Sequence, residues 1–474
     1  MRKVRFYCLA PLPLGPCLLH KIATLMLISL PAVLSMWAGN KAYSAEKASV
    51  PNIVLILTDD MGWGDLGSYG NKETATPNID RLATQGVRFA QFYVASPICS
   101  PSRVGFATGC FPARWRINDY LHDRAGNKAH ECANWLDPKA PTLARTLRDA
   151  GYSTAHFGKW HLGGGRDVQD APWPKEYGFG EHHVNFEGCG PGFDTSGSAK
   201  AEQVEAKLML TRYQFTGYWV DRSIEFIRRH KAGPFFVELW PQDVHTPHVP
   251  NPADLPGVVE TPPGHHKFNA VLKLYDREIG RLLDFLETEG LAKNTIVIFA
   301  SDNGPEPSFE RQRTGGLRGM KWSLYEGGIR EPLIVRWPGH IPAGKTDSTT
   351  ILSSVDLFPS LCALARVPLP KDAVLDGVDL GAALLGTPTE RGRPLFWEYG
   401  RRADYLFPRE KDARSPNLAI RDGKWKLLIN ADGTGAELYD LETDPKETKN
   451  LAAENPAEAA RLRTAVLNWR QKLP

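Results

Sequence analysis

The strongest constraint on the fold is a pattern in which a short apolar run is followed at once by polar or charged residues. Two such runs stand out, each with its polar pair: 53–57 with Asp59 and Asp60, and 296–300 with Asp302 and Asn303. Uninterrupted apolar runs of this length are typical of strands buried on both faces, as in a parallel sheet covered by helices. Ligands of open α/β sheets bind beyond the carboxyl ends of the strands. The pattern therefore predicts a buried sheet with both polar pairs at its ligand-binding edge.

Helical stretches alternate with strand candidates and indicate the fold class. Four helices are predicted between the two apolar runs: 78–85, 142–150, 218–230 and 271–288. Alternation of strands and helices is typical of an α/β fold. We therefore expect a large, mostly parallel sheet sandwiched by helices, with a helix over 353–365 closing this part of the chain.

The C-terminal part of the chain predicts a smaller unit. A Pro- and Gly-rich stretch, 368–394, is interpreted as a linker region. Three short strands are predicted after it: 418–420, 425–429 and 437–441. With a terminal helix over 456–472, they predict a small antiparallel sheet with a packed helix. The predicted domains are a catalytic domain at 46–367 and an α+β subdomain at 395–474.

Residues 1–45 have the layout of a secretory signal peptide. Positive charges at Arg2, Lys3 and Arg5 precede an apolar stretch at 22–37, and small residues follow at 42–45. The apolar stretch of about 16 residues is short for a membrane span of ~20 residues. We therefore expect export to the periplasm or the medium, with no stable membrane span after cleavage.

Composition excludes some function classes. Of 474 residues, 57 are Lys or Arg and 54 are Asp or Glu, so the net charge is +3. This balance gives no support for a nucleic-acid partner, which usually requires a basic excess. The seven cysteines include no Cys-x-x-Cys and no zinc-module spacing. Their pairing cannot be deduced from the sequence.

The two polar pairs offer only oxygen donors. Hard cations such as Ca²⁺ and Mg²⁺ take such ligands, whereas Zn²⁺ prefers His and Cys. Each pair alone could instead cap a helix or a turn, where Asp and Asn are favoured. Because two such pairs follow similar strands, we favour a metal site formed by Asp59, Asp60, Asp302 and Asn303.

The segment Cys99-Ser100-Pro101-Ser102-Arg103 has two readings. Cys99 could be a buried thiol or half of a disulfide, and Arg103 a surface charge. Alternatively, a helix that begins here could place both residues beside an anion, because helix N-termini bind anions. An activated cysteine nucleophile would be one consequence.

This segment, followed by Thr108-Gly109 and Arg114, resembles the signature of the type I sulfatase family of the alkaline phosphatase-like superfamily. The resemblance extends over about residues 50 to 455, in the family's order. Its further elements are Asp59-Asp60, Lys159-Trp160-His161, His245-Thr246-Pro247-His248, Asp302-Asn303, Lys321 and Leu438-Tyr439-Asp440-Leu441.

The resemblance implies a sulfuric ester hydrolase acting on a sulfated substrate, in particular a glycan such as a glycosaminoglycan. In this family the signature cysteine is oxidised to Cα-formylglycine, so a formylglycine-generating enzyme is an implied partner. One hydroxyl of the hydrated aldehyde attacks sulfur, and deprotonation of the other expels sulfate. A cation, Ca²⁺ by resemblance with Mg²⁺ also admitted, is held by Asp59, Asp60, Asp302, Asn303 and residue 99.

The resemblance also implies roles for the remaining site residues. Arg103, Lys159 and Lys321 supply positive charge around the sulfuryl group. His245 and Lys321 are candidates for protonating the leaving alcohol, and His161 is expected near the formylglycine hydroxyls.

Three alternatives remain open at this point. They are a formylglycine-dependent phosphodiesterase or phosphonate monoester hydrolase, a non-catalytic exported glycan-binding protein if Cys99 is not oxidised, and a cysteine hydrolase with an unmodified Cys99. Polar and aromatic clusters at 118–124, 182–187 and 397–402 could bind a sugar or be ordinary surface. Trp322 could narrow the pocket or pack outward.

Overall fold

The protein is described by a computed structural model that covers residues 50–186, 210–255, 265–402 and 405–474. The predicted signal peptide at 1–45 lies outside these residues. The strands are β1 Asn52–Thr58, β2 Val87–Phe89, β3 Phe92–Tyr93, β4 Ser153–Lys159, β5 Glu181–Asn185, β6 Phe235–Trp240, β7 Thr295–Ser301, β8 Leu333–Arg336, β9 Lys345–Asp347, β10 Leu352–Ser353, β11 Leu395–Glu398, β12 Leu418–Asp422, β13 Trp425–Ile429 and β14 Glu437–Asp440. The helices are α1 Pro77–Gln85, α2 Cys99–Thr108, α3 Arg124–Ala129, α4 Leu143–Asp149, α5 Phe215–His230, α6 His265–Thr288, α7 Glu326–Ile329, α8 Leu357–Leu364, α9 Gly381–Leu384 and α10 Pro456–Gln471.

Eight strands form the large sheet in the order β5-β4-β6-β1-β7-β8-β2-β9. All neighbours pair in parallel except β8, which runs antiparallel to both β7 and β2. Two further sheets are the parallel pair β3–β10 and the antiparallel sheet β11-β12-β13-β14. The predicted α/β fold, with its large mixed sheet and small antiparallel sheet, is confirmed.

The central strand β1 is buried on both faces. Ile53, Leu55 and Leu57 belong to one hydrophobic core, which α2, α4 and α8 cover. Val54 and Ile56 belong to a second core on the other face, which α1, α5 and α6 cover. Because successive side chains of a strand point to opposite faces, both faces of β1 require apolar side chains from Ile53 to Leu57. This explains the uninterrupted apolar run in the sequence.

The small sheet packs against the terminal helix through a third core. Leu462 and Val466 of α10 contact apolar residues of β12, β13 and β14. The sequence predicted three strands here, and the structure adds a fourth, β11, at the edge beside β12. β11 escaped prediction because its residues suggested a sugar-binding cluster. Trp397 of β11 is instead buried, and its indole N–H donates a 2.8 Å hydrogen bond to the carbonyl of Val94.

Candidate active site

The carboxyl ends of β4, β6, β1 and β7 lie side by side, because these four parallel strands are neighbours in the sheet. The residues that follow them, together with the start of α2 and a loop before α7, form the candidate site. It brings together all the site residues that the sequence predicted: Asp59, Asp60, Cys99, Arg103, Lys159, His161, His245, Asp302, Asn303 and Lys321.

Asp59 lies between two buried cations. Its Oδ2 accepts a 2.7 Å hydrogen bond from Nζ of Lys159, and its Oδ1 is 3.2 Å from Nη2 of Arg103. Burial raises the pKa of this carboxyl, but Lys159, His245 and Arg103 outweigh it and hold the pKa well below its usual range. Asp59 is therefore ionised at neutral pH.

Asp60 connects the two polar pairs to the loop that carries Lys321. Its Oδ1 accepts a 2.6 Å hydrogen bond from Nδ2 of Asn303, and its Oδ2 is 2.6 Å from Nζ of Lys321. Its backbone N–H donates to Oδ1 of Asp302 at 3.1 Å. Asp60 has φ +99°, a left-handed conformation that is rare for a residue with a side chain. The network compensates for this unfavourable conformation and keeps the second Asp of the pair turned inward.

Cys99 and Arg103 are one helical turn apart at the start of α2, so they share a face. Arg103 is fully buried, and its Nη2 lies 2.7 Å from Oδ2 of Asp302. The hydroxyl of Ser102 donates to the backbone carbonyl of Asp302. These contacts fix α2 to the end of β7. Burial raises the pKa of the Cys99 thiol to about 12, which disfavours a thiolate nucleophile at neutral pH.

The oxygen donors of this site fit a hard cation. Ligand atoms of Asp59, Asp60, Cys99 and His245 all lie within 4.8 Å of one another, a grouping that could hold a metal ion. Two buried oxygens, Oδ1 of Asp59 and Oδ1 of Asn303, accept no hydrogen bond among the described residues, although Oδ1 of Asp59 forms an ion pair with Arg103. A buried polar atom without a partner is unfavourable, and a bound cation would satisfy both oxygens.

The electrostatics of Asp302 point the same way. Burial raises the pKa of Asp302 to about 8; Arg103 counteracts this, while the carboxylates of Asp59 and Asp60 raise the pKa further. Three converging carboxylates are hard to keep ionised together unless positive charge lies between them. Asp59, Asp60, Asp302 and Asn303 can supply the oxygen ligands of such an ion.

A pocket of about 430 Å³ opens onto this cluster. Its lining residues are Ile98, Cys99, Tyr120, Lys159, His161, Arg166, His245, Glu306, Lys321, Trp322 and Leu406. Trp322 therefore faces the pocket, and its backbone N–H donates a 2.9 Å hydrogen bond to the carbonyl of Pro97, beside the start of α2. Sequence reasoning did not find Arg166, Glu306 or Leu406. Only Glu306 carried a signal, since it follows the second polar pair by three residues.

Two histidines border the pocket and are uncharged at neutral pH. Nδ1 of His245 lies 2.6 Å from the carbonyl of Thr246, so Nδ1 carries the proton and Nε2 faces Nζ of Lys321 at 3.2 Å. Burial and then Lys321 lower the pKa of His245, and burial followed by Lys159 lowers that of His161. Lys321 is the cation of this pair, because Asp60 raises its pKa well above the usual value although burial opposes this.

The three suggested sugar-binding clusters have different surroundings in the structure. Tyr120 lines the pocket, and its ring lies against that of His122 with centroids 3.8 Å apart. Trp397 and Tyr399 are buried instead, and Arg401 binds Glu398 at 3.0 Å. In the cluster at 182–187, none of the described residues lines the pocket. Only the first cluster therefore contributes to the pocket.

Comparisons with known proteins agree with this geometry. A family model described as Sulfatase matches residues 51–367, and one described as N-sulphoglucosamine sulphohydrolase, C-terminal, matches residues 320–471. The chain is 31% identical to N-acetylgalactosamine-6-O-sulfatase of Bacteroides thetaiotaomicron, over 87% of this chain and 92% of that protein. It is 32% identical to arylsulfatase A of Homo sapiens, over 85% of this chain and 84% of that protein.

A solved structure gives the same result. A Bacteroides thetaiotaomicron protein, solved in work on the metabolism of multiple glycosaminoglycans, superposes with a TM-score of 0.74 at 27% identity, over 90% of this chain and 100% of that chain. The family match at residues 51–367 covers more than half of the chain, and the two relatives are matched over 92% and 84% of their lengths. The chain therefore belongs to the sulfatase family.

Proposed function

We propose that this sulfatase removes sulfate from a sulfated carbohydrate, using Cys99 after its conversion to formylglycine and a divalent cation. The observation that supports this most directly is the convergence of Cys99, Lys159 and Lys321 on one pocket next to the acidic cluster. A sulfate ester is an anion, so its binding needs positive charge that is already in place. The names of the relatives favour a sugar, with N-acetylgalactosamine 6-sulfate as the first substrate to test.

Asp59, Asp60, Asp302 and Asn303 would hold the cation. Calcium and magnesium both suit these oxygen ligands, and calcium is the ion that the family resemblance implies. The bound ion would supply Lewis-acid chemistry, neutralising the sulfuryl oxygens and activating the nucleophile. Arg103 has a supporting role, because its guanidinium is already engaged by Asp302 and Asp59 and does not line the pocket.

The protein's own side chains would move the protons. His245 and Lys321, with side-chain nitrogens 3.2 Å apart, are the proposed donors to the leaving alcohol. Lys321 holds a proton at neutral pH, and the unprotonated Nε2 of His245 accepts a hydrogen bond from it, so Lys321 is the one of the two that carries a proton to donate. His161 borders the same pocket as Cys99 and is the proposed base for the hydroxyls at residue 99.

Formylglycine at position 99 supplies a geminal diol as the nucleophile, and its formation is the first point to test. The full chain is co-produced with a formylglycine-generating enzyme and digested, and the mass of the peptide containing Cys99 is measured. We expect a loss of about 18 Da relative to the thiol form. Cys132→Ala is the matched control, because Cys132 is also buried but does not line the pocket. It should retain both the mass change and activity, whereas Cys99→Ala should lose activity.

The alternatives are outcomes of the same experiment. An unmodified thiol at Cys99, despite a competent modifying enzyme, would contradict the proposed mechanism and favour a glycan-binding protein. Faster turnover of aryl phosphodiesters than of every sulfated sugar in a panel would favour a phosphodiesterase. Sulfate release from at least one sulfated sugar, absent in Cys99→Ala, would support the proposal.

Export is also proposed, on the layout of residues 1–45. No helix among the described residues is long and apolar enough to cross a membrane. N-terminal sequencing of the protein from a native-like host checks this proposal. A mature chain that begins near residue 46 would support cleavage, and an intact leader in the purified protein would contradict it.

A further inference from the structure

Glu306 is an acidic residue in the wall of a pocket that has to bind an anion. It follows the second polar pair after β7, and its side chain is 19% exposed. Its Oε2 accepts a hydrogen bond from the hydroxyl of Thr246, which fixes the carboxylate. The backbone N–H of Lys321 donates a 2.9 Å hydrogen bond to the carbonyl of Pro305, which holds Glu306 beside Lys321.

The second oxygen of this carboxylate makes only long ion-pair contacts with the surrounding protein. Oε1 lies 3.9 Å from Nζ of Lys321 and 3.9 Å from Nε2 of His245, which is too long for a hydrogen bond. Lys321 is instead bound to Asp60 at 2.6 Å. Among the described residues, none donates a hydrogen bond to Oε1 of Glu306. This oxygen therefore keeps its acceptor capacity and borders the pocket.

A carboxylate near a sulfate group raises the energy of the complex, because like charges repel. This repulsion has to be offset by a hydrogen-bond donor on the part of the substrate that carries no charge. Oε1 is equally distant from His245 and Lys321, the proposed proton donors to the leaving oxygen. The part of the substrate nearest Glu306 is therefore the alcohol portion, close to the ester oxygen.

We propose that Glu306 is a specificity-determining residue that accepts a hydrogen bond from a hydroxyl group of the sugar ring that carries the sulfate ester. This inference rests on the proposed function, and it adds that a hydroxyl-bearing substrate is selected over a bare sulfate ester. The neighbouring rings of Tyr120 and Trp322 supply the less polar walls of the same pocket. A few placed polar groups among such walls are what orients a ligand.

The test compares a ligand that has hydroxyl groups with one that has none. Binding and turnover of N-acetylgalactosamine 6-sulfate are measured for the full-length protein, or of whichever sulfated sugar of the panel it hydrolyses fastest. Inorganic sulfate is titrated as the competing, hydroxyl-free ligand. The variants are Glu306→Leu, which removes the acceptor, and Glu306→Gln, which removes the charge and keeps an acceptor. Glu390→Gln is the control, since Glu390 is exposed and does not line the pocket.

We expect Glu306→Leu to weaken binding of the sugar and lower its kcat/KM by about 10- to 100-fold, the effect of losing one hydrogen bond to a charged group. The inhibition constant of inorganic sulfate should not rise, since sulfate has no hydroxyl to donate and the variant removes a repelling charge. Glu306→Gln should retain most of the sugar affinity, and Glu390→Gln all of it.

Several results would overturn the inference. One is an equal loss for the sugar and for inorganic sulfate, which would mean that Glu306 acts through Lys321 or His245. Another is an unchanged sugar affinity in Glu306→Leu. A third is a loss of sugar affinity in Glu306→Gln as large as in Glu306→Leu, since the glutamine keeps an acceptor. Failure of the proposed function would look different, because the wild-type protein would then bind sulfated sugars without releasing sulfate.

Discussion

At the scale of single residues, Arg103 links the two polar pairs, Asp59-Asp60 and Asp302-Asn303. It lies 2.7 Å from Asp302 and 3.2 Å from Asp59, and it donates a 3.1 Å hydrogen bond to the carbonyl of Lys159. Its guanidinium also lies over the ring of Trp240, 5.1 Å from the centroid. One side chain thus connects the ends of β1, β4, β6 and β7. Such a buried charge is favourable only while all its partners are present.

Arg103→Ala should destabilise the protein strongly. Removing one member of a buried ion network leaves uncompensated carboxylates, and the loss in unfolding free energy is expected to be about 3–5 kcal/mol. Urea unfolding of the variant and the wild type measures this difference. Arg148→Ala is the control, because Arg148 pairs with Asp149 on the surface; its loss should stay below about 1 kcal/mol. Similar losses in both variants would show that Arg103 does not hold the site together.

Gly158 is a second residue on which the site depends. It has φ +121° in β4, and a methyl group added there would overlap the carbonyl of Trp240 in β6. Both conditions require glycine at this position. Because Lys159 follows directly, the close approach of β4 to β6 also sets the position of the lysine.

Gly158→Ala is expected to destabilise the fold by more than backbone strain alone. The matched control is Gly151→Ala, since Gly151 also has a positive φ, +96°, but its added methyl group would meet no atom within 4 Å. Strain at a left-handed position is on the order of 1 to 3 kcal/mol. We expect thermal unfolding to show a clearly larger loss for Gly158→Ala than for Gly151→Ala. Equal losses would mean that β6 moves aside without penalty.

At the scale of elements, one helix caps another. The carboxylate of Asp276, in the middle of α6, accepts hydrogen bonds from the backbone N–H groups of Asn78 at 3.1 Å and Ile79 at 2.8 Å. These donors lie in the first turn of α1, where the backbone N–H groups have no partner within the helix. A cap normally comes from the residue just before the helix. Here it comes from 198 residues further along the chain, and it sets the packing of α1 against α6.

Asp276→Ala should cost about 1–2 kcal/mol of unfolding free energy, as for the loss of a helix cap. Asp284→Ala is the matched control on the same helix. Asp284 also contacts α1, through a 2.7 Å ion pair with Arg81, but its side chain is 64% exposed. An exposed pair contributes about 0.5 kcal/mol. Denaturant unfolding distinguishes the two, and a loss for Asp284→Ala as large as for Asp276→Ala would contradict the capping role.

The strands and helices with a clear pattern were predicted well from the sequence. The second apolar run became β7, and the predicted helix at 271–288 lies within α6. The sequence-based prediction missed elements whose burial is set by packing against distant parts of the chain. β11 is the example, because its Trp397 is buried and donates to the carbonyl of Val94, directly after β3 and 303 positions earlier in the chain.

At the scale of the whole molecule, a buried charge cluster connects the small sheet to the catalytic region. Nζ of Lys426, in β13, lies 2.9 Å from Glu326 of α7 and 2.8 Å from Glu447, and all three side chains are fully buried. The hydroxyl of Tyr93 also donates to Glu326, at 2.7 Å. α7 follows the loop that carries Lys321, so the small sheet helps to hold one wall of the pocket.

The cluster of Lys426, Glu326 and Glu447 holds two acidic side chains and one basic one. The contribution of this cluster to the stability of the protein should therefore depend on pH. Burial raises the pKa of Glu447 to about 7, above its ordinary value of 4.5; Lys426 opposes this, and Glu326 adds to it. The unfolded chain then releases this proton near pH 4.5, while the folded protein keeps it until about pH 7. Across this window the unfolding free energy of the wild type should fall relative to that of Glu447→Gln, which cannot ionise. Urea unfolding at several pH values tests this, and the opposite trend would contradict the raised pKa.

The sequence by itself determined the fold class and the kinds of chemical groups in the site. Burial on both faces of a parallel sheet demands apolar residues at every position, and that demand is visible in 53–57 and 296–300. Likewise, the pairs Asp59-Asp60 and Asp302-Asn303 carry carboxylate and amide oxygens wherever the strands place them. These properties are local, so neighbouring residues reveal them.

The tertiary structure alone decided which groups meet. Arg103 is 199 positions from Asp302, and Glu306 is 60 positions from Thr246, so no local pattern could pair them. Their contacts exist because strand order in the sheet brings distant segments to one edge. The same packing removes water from the site, and this desolvation sets the ionisation of Asp302 and Cys99. The position of Glu306 in the pocket wall and the grouping of Asp59, Asp60 and Asp302 therefore depend on packing rather than on sequence pattern.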